Sequence, residues 1–175
     1  RHPEHVDRIV CWGAPIFASP AAARTQISGS VMARLFALDA TWAERACKIS
    51  CKHRSLTGWI TAAAQPRLPV KIARAVSVHT WPAFRDALQH LVIDVDWQQL
   101  LTELDRHAIA VDLTYGATDT VGDRVHARAM CSTARSTRVT IIPGAGHQLP
   151  MSRPDLCVAQ LAGHPSRRAA SGPVD

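Results

Sequence analysis

No stretch of these 175 residues is both long and apolar enough to cross a membrane. A spanning helix needs about 20 such residues, and the longest candidate, 9–23, is shorter and holds Pro15 and Pro20. No signal-peptide pattern opens the chain. Its first residue is Arg1, not Met, as expected of a fragment or a processed product. A disulfide framework is also lacking. The five cysteines, Cys11, Cys47, Cys51, Cys131 and Cys157, are odd in number and irregular in spacing. They read as reduced, partly buried thiols of a cytoplasmic protein. Cys47-x-x-x-Cys51-x-His53 has metal-ligand residue types but no second ligand pair at structural-zinc spacing. Cys47 and Cys51 are equally a pair one turn apart on a helix, so no metal and no cofactor is expected. The net charge is +6, but Lys and Arg are scattered and the tight pair, Arg167-Arg168, lies near the end. No recognition motif accompanies the charge, and no nucleic-acid partner is expected. No internal repeat is present.

With 47% hydrophobic and 19% charged residues, the chain has the composition of a globular domain with a real core. Residues 1–5 read as a loop closing an earlier helix. Ile9-Val10-Cys11-Trp12 is a short run, apolar on both faces, as in a buried parallel strand. From about 28 to 50, Val31, Leu35, Leu38, Trp42, Ala46 and Ile49 mark one face of a helix, with Ser28 or Ser30 as its cap. Pro66 and Pro69 break the pattern. Ile72, Ala73 and Val76 suggest a shorter helix. Trp81, Phe84, Leu88 and Leu91 outline a third, with Pro82 in its first turn. Trp97, Leu100, Leu101 and Leu104 outline a fourth behind an Asp cap. Each Trp of this block is expected to pack into a core.

Residues 108–115 read as the next strand, with Asp112 and Thr114 making one face partly polar. A helix is expected over 121–134, with Val125, Ala129 and Met130 inward. The β-branched run 137–142 reads as a strand. Ser152, Pro154 and Asp155 read as the start of a helix that ends near Gly163. Residues 164–175 read as a disordered tail. The order strand, helical block, strand, helix, strand, helix argues for an α/β fold of parallel strands with right-handed crossovers. Working residues of such sheets stand at the carboxyl ends of strands. Asp119 and His147 both hold that position.

Two segments carry a resemblance. Tyr115-Gly116-Ala117-Thr118-Asp119 is followed about thirty residues on by Ile141-Ile142-Pro143-Gly144-Ala145-Gly146-His147-Gln148-Leu149-Pro150, then Arg153-Pro154-Asp155. Together they resemble the acid and histidine loops of the α/β-hydrolase family, in which nucleophile, acid and histidine follow in that chain order. The resemblance implies the C-terminal part of such a fold. Residues 1–15 would hold a core strand, 16–107 a helical cap or lid, 108–163 the rest of the core and 164–175 the tail. It also implies that Asp119 orients His147, which serves as the base of a catalytic triad.

The nucleophile is missing. No Gly-x-Ser-x-Gly occurs, and Ser28-Gly29-Ser30 lacks the flanking glycines. The resemblance places the nucleophile and the oxyanion donors upstream of Arg1, so this chain alone is expected to be inactive. The intact protein would hydrolyse a small apolar ester or a related bond, with a Ser or an Asp nucleophile deciding the reaction type. A complementary N-terminal segment or chain is the implied partner. Asp119 also suits a helix N-cap, and Asp112 and Asp123 are rival acids. A second reading is a non-catalytic remnant or interaction protein that binds a partner strand at its open sheet edge. A third is a basic module for an anionic ligand. Cut off at this point, the first strand would present an unpaired apolar edge, and the isolated chain is expected to self-associate.

Overall fold

The computed structural model describes residues 2–28, 41–64, 69–75 and 80–163. β1 (Arg8–Trp12), β2 (Ala110–Gly116) and β3 (Thr137–Ile142) form one parallel sheet in the order β1-β2-β3. Cys11 lies opposite Leu113, and Leu113 opposite Val139. Parallel neighbours need a long crossover, and helical segments fill both connections. The expected α/β class with parallel strands is thus the observed one. Every residue of β1 is only partly buried, because β1 is an edge strand among the described residues.

The chain divides into two compact units, Arg1–Ala18 with Asp96–Asp175, and Ser19–Val95. The first holds the sheet together with α6 (Trp97–Arg106), α7 (Arg124–Cys131), α8 (Leu149–Ser152) and α9 (Pro154–Ala162). α6, which lies within the 16–107 span of the sequence reading, falls in the same compact unit as the sheet. Trp97, Leu101 and Leu104 pack on a core of Val111, Leu113, Tyr115, Ala127 and Met130. Asp96 caps α6 by accepting the Gln99 N–H at 2.9 Å. Ala108 then takes a left-handed conformation (φ +53°), with its N–H on the Asp105 carbonyl. That reversal ends the helix, so β2 starts at Ala110 and not at 108.

The face expected of α7 is displaced. Val125 is 80% exposed and Ala129 is exposed, while Ala127 and Met130 point inward. The cap on Asp123 starts the helix at Arg124, and that start sets which residues meet the sheet. Ser152 is not a cap either. It ends the short α8, donating its hydroxyl to the Gln148 carbonyl at 3.0 Å, because buried Leu149 has already drawn the chain into a turn. Pro154 opens α9 as expected, and Gly163 follows its end.

The second unit contains α1 (Pro20–Ser28), α2 (Thr41–Lys52), α3 (Arg54–Ala64), α4 (Val70–Ala75), α5 (Trp81–Leu88) and a π-helical turn, Gln89–Ile93. Its buried residues include Ala23, Ala43, Cys47, Ala73 and Ile93. Gly58 lets α3 lie close to α4, since a Cβ there would stand 3.0 Å from the Arg74 Cα. The helix expected over 28–50 has one described counterpart, α2, while α1 ends where that helix was to begin. Ser30, Val31, Leu35, Leu38, Pro66, Val76 and the tail 164–175 lie outside the described residues. The expected burial of Trp42 and Trp59 does not hold: they are 44% and 57% exposed. Trp59 instead lies beneath the Arg74 guanidinium, 5.5 Å from its ring centre, where the positive charge faces the electron-rich ring. No helix among the described residues is long and apolar enough to cross a membrane.

Candidate active site

The carboxyl ends of β2 and β3 each feed a short loop, and the two loops are bonded to each other. Ala117 N–H reaches the Ile142 carbonyl at 2.9 Å. Thr118 donates its N–H and its hydroxyl to the Ala145 carbonyl, each at 2.9 Å. Gly116 allows this approach, because a Cβ there would run into the Ala145 carbonyl. Gly144, at φ +67°, supplies the left-handed turn that carries the second loop back over the strand end.

These loops bring Asp119 and His147 together. Asp119 is 1% exposed. Its Oδ1 accepts the Val121 N–H at 2.8 Å and its Oδ2 lies 3.1 Å from His147 Nδ1. A carboxylate can only accept, so Nδ1 is the donor and Nε2 is left with its lone pair. Among the described residues Nε2 has no protein partner, and the imidazole is 42% exposed. The pair is a buried carboxylate hydrogen-bonded to an imidazole that is open on its other side.

β1 contributes a floor. Gly13 follows the strand with φ +68° and donates its N–H to the Thr114 carbonyl at 2.8 Å. A Cβ at this position would stand 2.9 Å from His147 Nδ1 and 3.0 Å from its Cε1. The histidine ring therefore rests against bare backbone. The loop after β1 is also tied to the acid side, with Asp123 N–H on the Ile16 carbonyl at 3.1 Å.

The rival acids have other partners. Asp112 sits mid-strand in an ion pair with Arg8 at 2.5 Å. Asp123 caps α7 by accepting the His126 N–H at 2.9 Å. Asp119 caps no helix; its second oxygen serves a local turn. Three supporting residues escaped the sequence reading. Arg124 donates to the carbonyls of Gly116 and Ala117, pinning the end of β2. Gln160 accepts from Trp12 Nε1 at 2.7 Å and donates to Thr114 Oγ1 at 2.8 Å, joining α9 to both strands. Gly13 directly follows the apolar run Ile9-Val10-Cys11-Trp12 and belongs to no motif of the sequence. Gly13 and Gln160 act across a long sequence separation and Arg124 reaches back about two helical turns' worth of chain, and no local pattern records either.

Cys47 and Cys51 stand one turn apart on α2. Burial, followed by the neighbouring Cys51, pushes the Cys47 thiol up to about 11. Its Sγ lies 4.0 Å from that of Cys51 on α2, while His53 is exposed. Tyr115 is fully buried in the first unit, with no partner for its hydroxyl among the described residues, and burial raises its phenol strongly.

No family model matches the chain. No curated protein matches it either. Solved structures do. An E-2-(acetamidomethylene)succinate hydrolase superposes with a TM-score of 0.58 at 12% identity, over 93% of this chain and 58% of its own. A thioesterase domain from the curacin biosynthetic pathway gives 0.55 at 11% identity, over 93% and 59%. A thermophilic esterase from Thermogutta terrifontis gives 0.54 at 17%, over 93% and 57%. The chain thus spans less than three fifths of each of these proteins, and at such identities the likeness is one of fold. Parallel strands in this order, with their carboxyl-end loops joined and a helical segment between the first two, make the chain part of an α/β-hydrolase fold.

Proposed function

We propose that this chain is the C-terminal portion of a hydrolase in which His147 is the general base and Asp119 its orienting acid. The carrying observation is the 3.1 Å contact between a fully buried carboxylate and one nitrogen of a histidine whose other nitrogen is open. In the proposed reaction His147 Nε2 takes a proton from the nucleophile and returns it to the leaving group. Asp119 holds the tautomer and stabilises the imidazolium. The nucleophile and the oxyanion donors come from a segment or chain outside these 175 residues, and this chain alone is inactive. The substrate is a small apolar ester or a related bond; the structural neighbours include an esterase and a thioesterase domain. The helical insertion between β1 and β2 is the proposed cap. Five cysteines outside any disulfide fit a reducing compartment, and we assign the cytoplasm on that ground.

One observation favours a second reading. β1 has one neighbour, β2, among the described residues, so its outer edge is free to accept a partner strand. In that reading the chain is a non-catalytic remnant or an interaction protein. Short p-nitrophenyl esters and thioesters, offered to the native protein from its source, separate the two. Hydrolysis that falls by about four orders of magnitude in Asp119→Asn, and little in Asp123→Asn, supports the enzyme. Hydrolysis indifferent to Asp119→Asn, or absent in the native protein, overturns it.

A further inference from the structure

The first described residues form a turn that no part of the proposed reaction uses. Pro3–His5 is a single 3₁₀ turn, closed by the His5 N–H on the His2 carbonyl at 3.2 Å and the Val6 N–H on the Pro3 carbonyl at 3.1 Å. Proline opens the turn and fixes its backbone. The turn gathers three side chains. His2 Nδ1 lies 3.0 Å from Glu4 Oε1, and His5 Nε2 lies 3.7 Å from the same oxygen. The two imidazole rings are 5.8 Å apart and inclined by 33°. Among the described residues this is the one group of three or more His, Cys, Asp or Glu whose donor atoms all lie within 4.8 Å of one another.

We propose that His2, Glu4 and His5 form a surface site for a borderline divalent transition metal ion of the Zn²⁺, Ni²⁺ or Cu²⁺ class. Metal–ligand bonds of about 2.0–2.2 Å place tetrahedral donors about 3.3–3.5 Å apart. The two donor distances to Glu4 bracket that spacing. A small rotation of the exposed rings brings in the third edge; the three side chains are 60–74% exposed and free to make it. Two imidazoles and one carboxylate select the class: imidazole suits Zn²⁺, Ni²⁺ and Cu²⁺, whereas Ca²⁺ and Mg²⁺ require oxygen ligands. Three protein donors leave at least one coordination position for water or another ligand. The whole donor set lies within four residues of sequence, so the site does not depend on the hydrolase reading.

Calorimetric titration of the chain with Ni²⁺ alone at pH 7.5 tests the site. The expected result is one high-affinity ion per chain. That event disappears in His2→Gln and in His5→Gln and weakens about tenfold or more in Glu4→Gln. It persists in His90→Gln, which removes an equally exposed histidine paired with Asp94. No saturable event in the parent chain, or one that survives both His2→Gln and His5→Gln, overturns the proposal. Circular dichroism of each variant distinguishes a lost site from a lost fold.

Discussion

Gly13→Ala tests how the histidine is held. Two costs add. The residue sits at φ +68°, where a side chain costs about 1–2 kcal/mol. The new methyl group would also stand 2.9 Å from His147 Nδ1 and 3.1 Å from its carbonyl oxygen. Non-bonded heavy atoms prefer about 3.5 Å or more, so the ring must retreat by about 0.6 Å. Such a shift carries the 3.1 Å contact with Asp119 beyond a sound hydrogen bond. The predicted loss is about 1–3 kcal/mol of stability, read from the urea midpoint. The Nδ1–H tautomer, read by ¹⁵N NMR of the imidazole, should fall at the same time. Gly13→Asn separates the two effects. Asparagine tolerates the left-handed conformation, so it recovers much of the stability but still displaces the ring. A Gly13→Ala protein with unchanged midpoint and unchanged tautomer refutes the idea that His147 rests on this glycine.

Two further outcomes concern the core beneath the site. Tyr115→Phe removes a buried hydroxyl that has no partner among the described residues, so stability should hold or rise by up to about 1 kcal/mol, checked by thermal unfolding. A loss above about 1 kcal/mol would mean that the hydroxyl is bonded in solution. Alkaline pH should destabilise the first unit. Burial raises the thiols of Cys11, Cys131 and Cys157 and the phenol of Tyr115 above their ordinary values. The folded state then holds more protons than the unfolded one, and stability falls with rising pH. The fall should begin near the unfolded thiol value of about 8.5 and steepen past about 10, where an unfolded tyrosine ionises. Urea midpoints that stay flat from pH 8 to 11 would contradict it.

The juxtaposition of Asp119 and His147 is more legible in the sequence than the helices are, for a physical reason. Asp119 and His147 end β-branched or aliphatic runs, and their loops need glycines at fixed places: Gly116 for close approach, Gly144 for a left-handed turn. Backbone requirements of that kind appear in the sequence. The strand 137–142 was equally clear from Thr, Val and Ile in succession. By contrast α3 has no place in the sequence reading, although Leu56, Trp59 and Ile60 carry the i, i+3, i+4 spacing of a helix; in the structure they lie on its exposed side. Val125 misled in the same way, as an apolar residue on the outer face of α7. The roles of Gln160 and Gly13 rest on contacts between distant parts of the chain, and that of Arg124 on side-chain bonds to the end of the preceding strand; periodicity records neither.

The central claim is that Asp119 and His147 serve a nucleophile supplied from outside these residues. Its most direct test is the intact mass of the native protein from its source, read together with its N-terminal sequence. The account predicts a mass well above 19.0 kDa, or a tightly bound second chain, with a nucleophile on a strand–turn–helix elbow in the added sequence. A native protein of 19.0 kDa that begins at Arg1 and purifies without a partner would contradict it.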